Sequence, residues 1–232
     1  MKAIIRLLIV PFIFQFSFAQ VDCKPFVPTK KGTQWEISNF SGKKGKSDGK
    51  IGYELVDKIV DGNNVTFIIK YTTYDKKGNQ IYSGSYEAKC IDGIFDLDMA
   101  VKLDGAQLQA YQDMDVNVDA STYELPDLDS APNTELADGT LKVSVAAGGG
   151  LNINMNVDIT ERKVEKRETI ETKAGTFDCI VVFQKVSTKT ILKVQGYSRE
   201  WYAPFIGLVR SESFNKNMKR LAFSEITMLK EN

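Results

Sequence analysis

Between Leu151 and Ile159 every second residue is apolar: Leu151, Ile153, Met155, Val157 and Ile159 alternate with Asn152, Asn154, Asn156 and Asp158. A helix would scatter these side chains around its axis. An extended strand puts all the apolar ones on one face, so a period of two dictates a half-buried β-strand. Leu141, Val143 and Val145 alternate in the same way just upstream, and Gly148-Gly149-Gly150 between the two runs supplies a backbone free to turn. The pair predicts a β-hairpin.

The same pattern recurs along the chain. It predicts strands near 33–40, 50–60, 64–75, 79–90, 113–119, 140–147, 151–160, 162–172, 176–187, 190–202, 206–214 and 220–229, with Gly, Asn and Asp clusters between them. Short loops make most neighbours antiparallel. The run Phe177–Val186 is apolar on both faces, which marks a central strand covered on both sides. Val65, Phe67, Ile69 and Tyr71 form a second stripe. The fold class that follows is all-β and mostly antiparallel: a single strongly curved sheet or half-open β-barrel with at most one or two short helices, the one candidate helix covering Asp104–Gln112. Residues 92–138 hold 12 Asp+Glu against the single Lys102, and 120–139 reads as an exposed connection over one end of the sheet.

The N-terminus reads as an export signal. Lys2 and Arg6 precede an apolar run from Leu7 to Phe18, and Ser17-Phe18-Ala19 matches the small-x-small cleavage rule. The run is shorter than the ~20 residues a spanning helix needs. The expected organisation is a signal peptide over 1–19 and one β-rich exported domain over 20–232, periplasmic or extracellular. An oxidising compartment lets cysteines pair. Cys179 sits in the doubly apolar run and reads as a buried core thiol, leaving Cys23 and Cys90 as the expected disulfide. In the chain-entropy model a loop of that length contributes about 4 kcal/mol.

Composition removes whole classes of chemistry. The chain has no His, so Ser-His-Asp and Cys-His catalysis and imidazole metal sites are excluded. Its 30 basic residues equal its 30 acidic ones, without the basic excess that nucleic-acid binding needs. The full Gly-x-x-x-x-Gly-Lys-Ser/Thr phosphate loop is absent from the sequence. Asp96 with Asp98, or Asp113 with Asp115, invite a metal or glycosidase reading, but the calcium-loop spacing is missing. Asp113, Asp115 and Asp119 alternate with Met114, Val116 and Val118 as the wet face of a strand. Glu161–Glu168 mixes both charge signs and reads as a solvated strand edge. No metal, cofactor or catalytic residue is expected. Trp35, Tyr53, Tyr71, Tyr82, Tyr86, Tyr197, Trp201 and Tyr202 either fill a core or line a ligand cavity, and the sequence leaves both open. An outer-membrane barrel is disfavoured by the end Leu229-Lys230-Glu231-Asn232, which lacks a terminal aromatic, and by the absence of aromatic girdles.

Three segments carry a family resemblance. Phe26–Glu36 contains Pro28, Gly32 and Trp35 in a Pro-x-x-x-Gly-x-x-Trp pattern. Thr172–Cys179 reads Thr-Lys-Ala-Gly-Thr-Phe-Asp-Cys, and Trp201–Glu212 contains Tyr202-Ala203, Gly207-Leu208-Val209 and Glu212. In this order they resemble the exported TapB-like proteins, related to a domain-of-unknown-function group of Gram-negative bacteria. The resemblance implies an exported β-rich domain, distantly like curved-sheet lipid and lipoprotein carriers, and brings no catalytic residues. The expected function is therefore non-enzymatic: a cell-envelope protein that binds an apolar small molecule or lipid, or a protein partner. The alternatives are an envelope glycan hydrolase using paired Asp/Glu and a structural or assembly component.

Overall fold

The computed structural model describes residues 24–42, 45–98, 115–146 and 152–231. Thirteen strands run through them: β1 (Gln34–Ser41), β2 (Lys46–Asp61), β3 (Asn64–Tyr74), β4 (Gln80–Ile91), β5 (Ile94–Asp98), β6 (Asp115–Ala120), β7 (Thr122–Glu124), β8 (Gly139–Ala146), β9 (Asn152–Thr172), β10 (Gly175–Lys189), β11 (Lys193–Ala203), β12 (Gly207–Asn215) and β13 (Arg220–Lys230). They form one sheet in the order β6-β8-β9-β10-β11-β12-β13-β1-β2-β3-β4-β5-β7. Neighbours are antiparallel throughout. No helix occurs among the described residues. The expected helix at Asp104–Gln112 and the turn at Gly148–Gly150 lie outside them.

The sheet curls without closing. β6 and β7 are its two ends. Yet the Tyr123 hydroxyl of β7 donates to Gln184 Oε1 of β10 at 2.6 Å and to Glu200 Oε2 of β11 at 3.1 Å, far across the strand order. Phe26, ahead of β1, bridges the same gap, with its ring 6.1 Å from Phe95 of β5 and 5.8 Å from Tyr202 of β11. Side chains therefore tie the β7 end to β10 and β11 across the concavity, with no ladder closing β7 onto the other end. The concavity is packed: Leu55, Ile69, Val164, Val182, Val209 and Ile226 are all fully buried. Fully burying each such side chain is worth about 1.5–3 kcal/mol.

The central position of β10 follows from its sequence. Cys179, Ile180, Val181 and Val182 are all buried, so both faces are covered. The β8–β9 hairpin also forms as its alternation dictates, with Val143 opposite Met155 and Val145 opposite Ile153. β9 itself differs from expectation. It is one strand of 21 residues, not two. Glu161 takes φ 52, and the register with β10 slips between Phe183 and Lys185. This bulge inverts the alternation, so Ile159 faces inward before it and Arg162 and Val164 after it. Glu161–Glu168 is a sheet edge, since β8 pairs only with Asn152–Ile159, and Glu161, Lys163, Lys166 and Arg167 are exposed. It is not solvated throughout: Val164 is buried and Arg162 is 2% exposed.

The stretch 120–139 also departs from an exposed connection. β8 pairs with the first part of β9 only, leaving the edge at 162–164 without a strand partner. Residues 133–136 cover it: Asn133 N donates to Val164 O at 2.7 Å, Val164 N to Thr134 O at 2.9 Å and Leu136 N to Arg162 O at 3.0 Å. Tyr123 and Leu125 from the same stretch are buried in the core.

Candidate functional site

Two constellations stand out. The first is a buried polar knot inside the curl. Arg162 lays its guanidinium 3.8 Å from the centre of the Tyr123 ring. It donates to Glu124 O at 2.7 Å, to Ala137 O, and to Gln184 Oε1 at 3.4 Å. Gln184 Nε2 donates to Ser198 Oγ at 2.9 Å, and the Tyr202 hydroxyl donates to Glu200 Oε2. Burial and the neighbouring Glu200 push the Tyr202 hydroxyl well above its ordinary value. Each member of the knot is satisfied by another, as a low-dielectric interior requires. The knot ties β7 and the 124–137 segment to β9, β10 and β11. It is a structural clamp.

The second constellation is a groove of about 740 Å³ at the end of the sheet that carries the β9–β10 and β11–β12 turns. Its lining comes from Lys24, from Leu128 and Asp129, from the last part of β9 (Arg167, Glu168, Thr169), from the start of β10 (Thr176–Ile180), and from Ala203, Pro204 and Ile206. The sequence segments with the family resemblance meet here. Thr172–Cys179 forms the β9–β10 turn and one wall. Trp201–Gly207 forms the β11–β12 turn and another. The stretch around Phe26 packs against that second turn.

Local backbone explains the meeting. Phe205 sits at φ 60, a region that bulky residues rarely adopt, and its N–H donates to Pro25 O at 2.8 Å. Gly207 takes φ 103, and a Cβ there would lie 2.5 Å from Phe26 O. Only glycine allows the N-terminal segment so close to the hairpin. Such strained positions persist where the surroundings hold them and often mark functional sites.

The groove is amphipathic. Leu128, Phe177, Ile180, Ala203, Pro204 and Ile206 supply apolar surface, while Lys24, Asp129, Arg167, Glu168 and Asp178 supply charge of both signs. Arg167 is fixed by donating to Leu128 O and to Ser130 O at 3.3 Å. Asp178 accepts from the Thr169 hydroxyl at 2.6 Å. Glu168 accepts from Trp201 Nε1 at 2.9 Å, and this bond and its Lys166 partner lower its pKa. Cys179 is a free buried thiol, pushed up to about 12 by burial and the nearby Asp178 and Glu168.

The residues singled out in the sequence are dispersed. Trp35 stacks on Tyr53 at 5.2 Å, Tyr53 meets Tyr71 at 6.5 Å, and Tyr71 meets Tyr82 and Tyr86 at 5.9 and 6.2 Å. This row crosses β1–β4 as cross-strand packing. Gly84 completes it, since a Cβ there would strike the Tyr71 hydroxyl at 2.8 Å. Burial raises the Tyr53 and Tyr86 hydroxyls and lifts Tyr71 to about 12. Tyr197 stacks on Phe183 at 5.5 Å. Asp119 is solvent-exposed, 3.7 Å from Lys142, and Asp113 lies outside the described residues. Cys90 is fully buried in β4 opposite Phe95, and Cys23 lies outside the described residues. No sequence periodicity points to the groove, because strand ends, two turns and a non-strand segment meet there only in the fold.

An open, all-β curved sheet with an end groove defines the class. The chain belongs to the DUF3108-like family, whose model matches residues 30–226. It is similar in structure to a protein from Bacteroides fragilis inferred to be exported and described as having a YmcC-like fold. The TM-score is 0.79 and the identity 26%, over 90% of this chain and 100% of that one. It is equally similar to a protein from Parabacteroides distasonis inferred to be a lipoprotein, with TM-score 0.77, 26% identity and the same coverage of both chains. No curated protein matches the chain.

Proposed function

We propose that this is an exported, non-enzymatic binding protein of the cell envelope, and that its ligand is a small amphipathic molecule held in the end groove. One observation carries the reading: an amphipathic groove of about 740 Å³ formed where the sequence segments with the family resemblance meet. That volume falls within the roughly 300–1,000 Å³ of small-molecule sites. The concavity, filled by side chains, is a poorer host. Glu168 is held in its ionised form by Trp201 and Lys166, which unsuits it for the acid of a glycosidase pair, a role that needs a raised pKa. Cys179, at about 12, is no thiolate at neutral pH.

The test is a native mass spectrum of the protein taken from its own envelope, with organic extraction in parallel. The reading expects a reproducible added mass that extracts as an apolar molecule and is lost in Ile206→Asp, which puts a charge on the groove wall. A bare protein mass in the wild type sinks it.

The export reading extends to its details. The signal is cleaved after Ala19, leaving 20–232, and the TapB-like resemblance is the finer family assignment. Cys23 pairs with Cys90, a reading supported by Phe26, three residues further along the sequence, packing on Phe95, the ladder partner of Cys90. Thiol mapping checks this. Without reductant at neutral pH, native protein takes up no alkylating agent, and denatured protein takes it up at Cys179 alone. Alkylation of Cys23 or Cys90 in unreduced, denatured protein refutes the pairing.

A further inference from the structure

At the end of the sheet opposite the groove, the β10–β11 hairpin ends in a bare aliphatic tip. Ile191 is 97% exposed, Leu192 75% and Val194 66%. Solvent-facing aliphatics this prominent, grouped at one protruding turn, mark a contact surface. Lys189 and Lys193 face each other as ladder partners at the base of the tip, both exposed.

Two other hairpins at this end repeat the chemistry. Strands alternate in direction, so the β12–β13 and β3–β4 turns fall at this same end. The first carries exposed Lys216 and Lys219 around Met218, itself 42% exposed. The second carries Lys76 and Lys77. Asp75 in that turn is occupied locally: its carboxylate accepts from the backbone N–H groups of Lys77 and Asn79, each at 2.8 Å, and from Asn79 Nδ2 at 2.9 Å. The groove end also exposes aliphatics, such as Val60 and Ile94, but there Asp57, Asp61 and Asp92 offset Lys58 and Lys31, the latter paired with Asp57 at 3.1 Å. The three turns at the tip end instead set Lys76, Lys77, Lys189, Lys193, Lys216 and Lys219 against Asp75 alone.

Exposed aliphatics set among lysines are the pattern of a segment that lies in a lipid interface. The apolar side chains enter the headgroup–acyl boundary, and the lysines meet lipid phosphates. We propose that this end of the sheet docks on an anionic phospholipid surface, with Ile191 and Leu192 inserting. The inference is independent of the groove ligand.

The experiment is co-sedimentation of the mature chain with vesicles of phosphatidylglycerol mixed into phosphatidylcholine, against vesicles of phosphatidylcholine alone. The expected result is binding at least about tenfold stronger to the anionic vesicles, weakening as salt screens the lysines. The double variant Ile191→Ser/Leu192→Ser should lose about tenfold on the same vesicles. The charge variant Lys189→Glu/Lys193→Glu should lose at least as much. Both change exposed positions, and unchanged circular dichroism verifies the fold. Equal binding to both vesicle types, no binding, or variants that bind like the wild type would overturn the proposal. So would a tip variant that changes the protein's own oligomeric state without changing vesicle binding, which would make the tip a contact between copies.

Discussion

Replacing Arg162 with alanine lowers the unfolding free energy by about 3–5 kcal/mol, the cost of breaking a buried charged network from one side. The Glu124 and Ala137 carbonyls lose their donor, and the Tyr123 ring loses the guanidinium stacked on it. Glu200 stays buried beside two tyrosine hydroxyls. Arg162→Lys recovers only part of the loss. An ammonium keeps the charge but cannot stack as a plane while donating to separate carbonyls. Urea unfolding of the three proteins measures this. An alanine variant within about 0.5 kcal/mol of the wild type, the range of ordinary surface substitutions, would contradict the clamp.

Gly207→Ala produces the second large effect. At φ 103 a side chain costs about 1–3 kcal/mol in backbone strain alone. The new Cβ would also meet Phe26 O at 2.5 Å, so strand β12 or the N-terminal segment has to move. The segment belongs to no ladder, whereas β12 is paired with β11 and β13, so the segment is the part that gives. Its displacement withdraws Phe26 from Phe95 and Tyr202 and opens the groove on the Lys24 side. The expected variant is less stable and also loses the groove ligand. Limited proteolysis should cut it first near residues 24–28. Wild-type stability together with an undisturbed N-terminal segment would show that the close approach is not needed.

Much of the sheet was legible because its cause is local. Alternation in Leu141–Val145 and Val157–Ile159 fixes a face, and a doubly apolar run such as Cys179–Val182 fixes a central strand. What escaped depends on contacts distant in sequence. Arg162 looks like one more charge in a mixed run. Only the bulge at Glu161 turns it inward, and only Tyr123, Gln184 and two carbonyls make its burial tolerable. β7 is three residues long and leaves no periodicity. Residues 133–136 form an edge cover because β8 stops short of the β9 segment they cover, a mismatch of lengths that no single segment encodes.

The groove was half visible. The recurring segments at Thr172–Cys179 and Trp201–Gly207 were evident as sequence, but their adjacency comes from two neighbouring hairpin turns at one end of the sheet. The aromatics offered as cavity lining pair with each other across β1–β4. The disposition of charge between the two ends was also hidden, because the chain as a whole is neutral.

The most direct measurement is hydrogen exchange on protein carrying its native ligand against protein stripped with organic solvent. Ligand in the groove should slow exchange at 176–180 and 203–206 and in the segment around Lys24, and leave the Tyr53–Tyr71–Tyr86 row unchanged. Protection confined to that row, or no difference at the groove walls, would contradict a ligand site at this end of the sheet.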